Sequence, residues 1–149
     1  MRIAFGADHA GFDLKERLVE HVRSRGHEAI DVGTHGPASV DYPTFGRRAA
    51  RKVLDGEADR AVLVCGTGIG IGMSAGKLPG IRCAVVSEPY SASLARRHND
   101  ANALAIGSRV LGPGLAEMIV DEFLDAEFEG GRHARRVDKI MALEQQKDS

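Results

Sequence analysis

The sequence predicts a single-domain three-layer α/β/α sandwich, Rossmann-like, around a parallel sheet of about five strands. Three observations predict it. Short apolar runs alternate with segments whose apolar residues recur at helical spacing. The strand candidates are continuously apolar, as strands are when both sheet faces are covered. The 149 residues suit one domain, with no linker, internal repeat or low-complexity tract to divide them.

Arg2–Ala7 is the first strand candidate. Residues 11–25 carry Leu14, Leu18, Val19 and Val22 on one helical face, and Gly26 ends that helix. Residues 27–33 read as a second strand. A polar loop then runs through Pro37 and Ser39 to Tyr42 and Pro43. Phe45, Ala49, Ala50, Val53 and Leu54 form the next helical face, closed by Gly56. Residues 60–66 are a third strand, with Ala61, Val62, Leu63 and Val64 in sequence; residues 81–87 are a fourth and Ala103–Gly107 a fifth. Helices fit at about 69–77, 90–99 and 115–126, the last with Pro113 near its start. A final helix is expected over about 135–146, available to contact a partner subunit, and the polar tail from 145 is expected to fray. Right-handed crossovers follow from this alternation. In such folds ligands sit beyond the carboxyl ends of the strands. That directs attention to loops 7–11, 33–42, 65–72, 87–90 and 107–114.

Composition narrows the partners. Lys and Arg number 20 against 21 Asp and Glu, a formal charge of -1, so no excess positive field exists to attract a nucleic acid. Small anionic ligands remain open to local clusters. Two cysteines, Cys65 and Cys83, are too few for a disulfide framework and point to a reducing compartment. The N-terminal apolar run turns polar at Asp8, so neither a signal peptide nor a membrane span is expected, and the expected location is cytoplasmic.

The strongest chemical signal spans residues 62–72. A buried strand runs into Cys65, then has glycine at 66, 68, 70 and 72, then a helix. Alternate glycines let several N–H groups aim at one point, and a helix start adds partial positive charge. The site favours a phosphate or a reaction oxyanion, and a cysteine beside it is a candidate base or nucleophile. The plain alternative is a glycine-rich turn beside an inert buried thiol. Residues 70–75 match G-x-G-x-x-A, a weak dinucleotide pattern that starts too late for a first-strand fingerprint. No Gly-Lys-Ser/Thr exists, and Ile71 stands where a cysteine phosphatase needs arginine.

Other candidates are individually weaker. Asp8 and His9 follow the first strand and suit hydroxyl binding, anion binding or proton transfer; a helix cap and a solvated imidazole are the plain alternative. His98 and Asn99 end a helix, where a histidine commonly serves as a dipole partner. Arg132 and Arg136 lie four apart around His133, and Arg109 follows another strand; together they suit a phosphate clamp or a solvated basic surface. No His or Cys pair has structural-zinc spacing, and no metal site is expected.

Six blocks in register, at residues 6–12, 41–43, 65–70, 87–90, 98–102 and 130–137, resemble the type B ribose-5-phosphate isomerase family, which includes allose- and galactose-6-phosphate isomerases. The resemblance runs from Arg2 to about Glu144. It implies that Cys65 moves a proton between C1 and C2 of an open-chain sugar, while Thr67 and the amides from Gly66 through Gly68 to Gly70 stabilise the enediolate. It implies that His98 helps open the furanose ring. Asp8 and Tyr42 would position hydroxyls, Asn99 would bind near the reacting end, and His9, Arg109, Arg132 and Arg136 would hold the phosphate. It implies a homodimer with its site between subunits, and no metal or organic cofactor. The expected reaction interconverts ribose 5-phosphate and ribulose 5-phosphate. A six-carbon sugar phosphate, or a non-catalytic phosphosugar or nucleotide module, stand as alternatives.

Overall fold

A computed structural model describes residues 1–145. In chain order the elements are β1 (Arg2–Ala7), α1 (Phe12–Ser24), β2 (Glu28–Asp31), α2 (Tyr42–Leu54), β3 (Arg60–Cys65) and α3 (Ile69–Gly76). Then come β4 (Cys83–Val85), α4 (Pro89–Arg97), β5 (Ala103–Gly107), α5 (Pro113–Asp125), α6 (Arg132–Ala142) and a 3-10 turn (Leu143–Gln145). The five strands pair in parallel in the order β2-β1-β3-β5-β4.

Side-chain alternation along the strands feeds two cores. Ile3, Phe5, Ala7, Val62, Val64, Leu104 and Ile106 point to the face covered by α1, α4 and α5. Ala4, Ala61, Leu63, Cys65, Ala103 and Ala105 point to the opposite face, under α2 and α3. Apart from Leu63, the large strand residues therefore share one side. Each one fully buried stabilises the fold by about 1.5–3 kcal/mol. The alanine-rich side lets α2 and α3 sit close to the sheet, which keeps Cys65 near a helix start.

Several expected boundaries move, and those of β4, α2 and the last helix have identifiable causes. β4 covers only Cys83–Val85, because Glu88 caps α4 through the Ser91 N–H (3.0 Å) and draws the preceding residues into a loop. At its other end the Arg82 N–H donates to the Asn102 side chain (2.8 Å) instead of extending the ladder. Tyr42 and Pro43 open α2 rather than close a loop, since proline suits a first helical turn. The last helix begins at Arg132, where the chain emerges from Gly130 and Gly131, both at positive φ. The expected end of that helix at 146 and the tail beyond lie outside the described residues.

The chain leaves β1 for β2 on one side, then returns to place β3 on the other. That reversal opens a crevice at the carboxyl ends of β1 and β3, where ligands bind in open α/β sheets. Asp8 follows β1 and Cys65 ends β3, so topology alone brings them together.

Candidate active site

A cleft of about 460 Å³ lies at this switch point, lined by Asp8, His9, Tyr42, Cys65, Gly66, Thr67, Gly70 and Arg109, among others. Cys65 is only 4% exposed, yet it lines the cleft, and its sulfur accepts the Gly68 N–H at 3.2 Å. Gly68 adopts φ +80, and a Cβ there would lie 2.7 Å from the Ile106 backbone. Only glycine fits that turn, which aims the Gly68 amide back at the thiol. The Thr67 hydroxyl accepts from the Ile69 N–H at 3.3 Å, leaving its own proton to donate. Gly70 follows in the first turn of α3, and a Cβ there would meet the Tyr42 ring at 2.6 Å. That missing side chain admits the phenol to the cleft. First-turn amides of a helix lack intrahelical acceptors, so the start of α3 offers donors to negative charge.

The remaining members are set by neighbouring loops. Asp8 is buried and accepts the Gly11 N–H at 3.0 Å, so it caps a turn and also faces the cleft. Val40 N–H donates to His9 Nδ1 at 3.2 Å, leaving Nε2 as the free edge. The Ser108 N–H donates to the Cys65 carbonyl (2.9 Å) and the Arg109 N–H to the Gly66 carbonyl (3.0 Å). These two bonds lash the β5 exit to the glycine turn and hold Arg109 over it.

His98, Asn99, Arg132 and Arg136 are not in this cleft. Cys65 pairs with Gly107 at the carboxyl end of β5, whereas His98 precedes Ala103 at the amino end. The length of β5 alone separates those ends by roughly 13 Å. The turn after α4 is well fixed. Arg96 donates to the Asp100 carboxylate (2.8 Å) and the Ala101 carbonyl (2.7 Å), and Arg82 Nε to the Asp100 carbonyl (2.9 Å). Asn99 lines a separate groove with Cys83, Ile140 and Met141. Cys83 is core-like, and burial pushes its thiol up to about 12. Arg132 and Arg136 share α6 as expected, but Arg109 is at the other pole of the chain.

Sequence reading passed over Glu129, which meets His98 and His133 with one ligand atom from each within 4.8 Å of the others. Only tertiary packing joins residues so far apart in sequence. The two rings lie within 7° of parallel, so their in-plane lone pairs run side by side rather than converge on a tetrahedral centre.

Fold and cleft define a class: a Rossmann-like α/β protein with a thiol and main-chain donors at its switch point and basic groups nearby. The Ribose/Galactose Isomerase family model matches residues 3–140, and the chain belongs to that family. It is 53% identical to ribose-5-phosphate isomerase B of Escherichia coli (strain K12), over 99% of both chains. Its fold superposes on ribose-5-phosphate isomerase B of Clostridium thermocellum with TM-score 0.96 at 53% identity, covering 97% of this chain and 98% of that one. The Mycoplasma genitalium ribose-5-phosphate isomerase B, solved with bound ribulose-5-phosphate, gives TM-score 0.92 at 40% identity, covering 98% and 97%.

Proposed function

We propose that this chain is an aldose–ketose isomerase interconverting ribose 5-phosphate and ribulose 5-phosphate through an enediolate, with Cys65 as the base. The observation that carries the reading is that Cys65 lines the switch-point cleft beside Thr67, with its sulfur 3.2 Å from the Gly68 amide. The thiolate takes the C2 proton of the open-chain aldose. The electron pair forms the C1–C2 double bond, and O1 takes up the carbonyl pair. The hydroxyl proton passes from O2 to O1, and the thiol returns its proton to C1 as C2 becomes the carbonyl. Donors fixed before reaction meet the charge on the enediolate, which is where such donors lower a barrier most. Asp8 and Tyr42 position hydroxyls, and no metal or organic cofactor enters these steps.

His9 and Arg109 take the phosphate from one side of the cleft. Arg132, Arg136, His98 and Asn99 complete the site from a second copy, His98 opening the furanose ring. Two features support the homodimer. Ile69 and Met73 on α3, Val85 at the end of β4 and Tyr90 in the first turn of α4 are all at least 45% exposed, an apolar surface beside the cleft. On α6 only His133 and Val137 are buried, while Ile140 on it and Leu143 in the turn after it are exposed. The C-terminal helix of the single isomerase domain therefore has an apolar side free for a partner subunit. No helix among the described residues is long and apolar enough to cross a membrane.

Reduced protein is expected to convert ribose 5-phosphate to ribulose 5-phosphate, with kcat/KM higher for the pentose than for allose 6-phosphate or galactose 6-phosphate. Saturable binding without turnover would leave only a phosphosugar-binding module. A preference for six carbons would keep the chemistry and change the substrate.

A further inference from the structure

Three chain segments meet at His98. The His133 ring, from the first turn of α6, stacks on the His98 ring with centroids 4.0 Å apart and planes 7° from parallel. Glu129 Oε1, from the loop before α6, lies 3.7 Å from Nε2 of His98 and 3.7 Å from Nε2 of His133. Glu129 is itself tied twice to the end of α4. Its N–H donates to the Arg97 carbonyl at 3.0 Å, and its Oε2 accepts from Arg97 Nε at 2.7 Å. An exposed ion pair adds little to stability. The aim of the other carboxylate oxygen, at two ring nitrogens, has a use beyond stability.

We propose that Glu129 and His133 are positioning residues for His98, holding its imidazole in the orientation and tautomer that passes a proton to the sugar's ring oxygen. The proposal rests on the reading of His98 as the ring-opening group. In that step the C1–O4 bond breaks and its electron pair goes to O4, which receives a proton from His98. The O1 hydroxyl proton is released as the C1 carbonyl forms and returns to the imidazole, so the ring leaves the step as it entered. A carboxylate facing Nε2 favours the proton on that nitrogen and leaves Nδ1 as the exchanging edge. The charged groups around the pair are Arg97 on α4, Glu129 on the loop, and Arg132 and Arg136 on α6. The arginines oppose a second positive charge, and Glu129 offsets them. Burial foremost, and then the neighbouring His98, holds the His133 imidazole below its ordinary value. His133 is thus a neutral flat platform near pH 7, not a second acid.

The test separates ring opening from proton transfer at carbon. Ribulose 5-phosphate is open-chain, because its O5 is esterified and cannot close a furanose. Enzyme-catalysed exchange of its C1 proton with deuterated solvent needs the base but not the ring-opening group. Glu129→Gln is expected to slow interconversion by about tenfold or more, while C1 exchange stays within about twofold of the parent. His133→Ala is expected to show the same split, and His133→Phe, which keeps a flat ring, to recover part of the lost rate. A parallel fall of exchange and interconversion in Glu129→Gln would mark a structural role and overturn the proposal. So would parent rates of interconversion in Glu129→Gln and His133→Ala while His98→Ala is impaired. Parent interconversion by His98→Ala would instead remove the underlying reading of His98, and this proposal with it.

Discussion

The two poles of the sheet differ in how they were assembled. At the carboxyl ends, the switch between β1 and β3 gathers Asp8, His9, Tyr42, Cys65 and Arg109 into one cleft within a single chain. At the amino ends, His98 and His133 stack beside Glu129, with Arg132 and Arg136 on the same helix start, around no cleft that holds Cys65. In the proposed reading, one pole holds the base and an oxyanion cradle without enough phosphate ligands, and the other holds the ring-opening and phosphate-binding groups without a base. Each is then half a site, and in the proposed homodimer a two-fold partner would bring the amino-end cluster of one copy to the carboxyl-end cleft of the other.

The sharpest way to break this contrast is to remove the thiol proposed as the base. Cys65→Ala is expected to lower exchange of the C2 proton of ribose 5-phosphate by ~10³-fold while phosphosugar binding persists, because the proposed phosphate ligands remain. Solvent isotope incorporation and calorimetric titration measure the two separately. Retained exchange in the variant would place the base elsewhere in the cleft. A smaller signal follows from mixing. In a symmetric dimer built as proposed, co-expressed Cys65→Ala and His98→Ala chains form heterodimers with one doubly damaged site and one intact site. Random pairing then gives about a quarter of the parent activity. If each site drew both groups from one chain, mixing would restore nothing.

The same contrast explains what the sequence made legible. Residues 62–72 announce themselves because strand, thiol, glycines and helix are contiguous, and the structure keeps that order from Val62 to Gly72. The extents of β1 and β5 are also plain in the sequence, since the apolar runs at 3–7 and at Ala103–Gly107 are bounded by polar residues on both sides. β4 is not, because its ends depend on Asn102 and on the Glu88 cap, both side-chain choices. Strand order is invisible to periodicity, and with it the meeting of Asp8 and Cys65. Glu129 carries no local signal at all. Its meaning comes from Arg97 and two histidines on other segments.

The smallest expected effect distinguishes the poles by pH. Burial holds the His133 imidazole below its ordinary value of 6.5, so the docked α6 binds that proton less readily than the released helix. The stabilisation is fully present above pH 6.5, where both states are neutral. As pH falls through 6.5 the released state takes up a proton first, and the contribution is lost progressively until the docked ring also protonates. Amide hydrogen exchange in α6, corrected for intrinsic rates, should therefore quicken between about pH 7 and pH 5. Amides of β1, in the core of the sheet, serve as the internal standard. In His133→Gln, which keeps a polar side chain but cannot titrate, the acid sensitivity of α6 should disappear. If α6 in the parent protein is as well protected at the acid end as at the neutral end, His133 does not couple its protonation to docking. The stacked pair would then be a packing contact and no more.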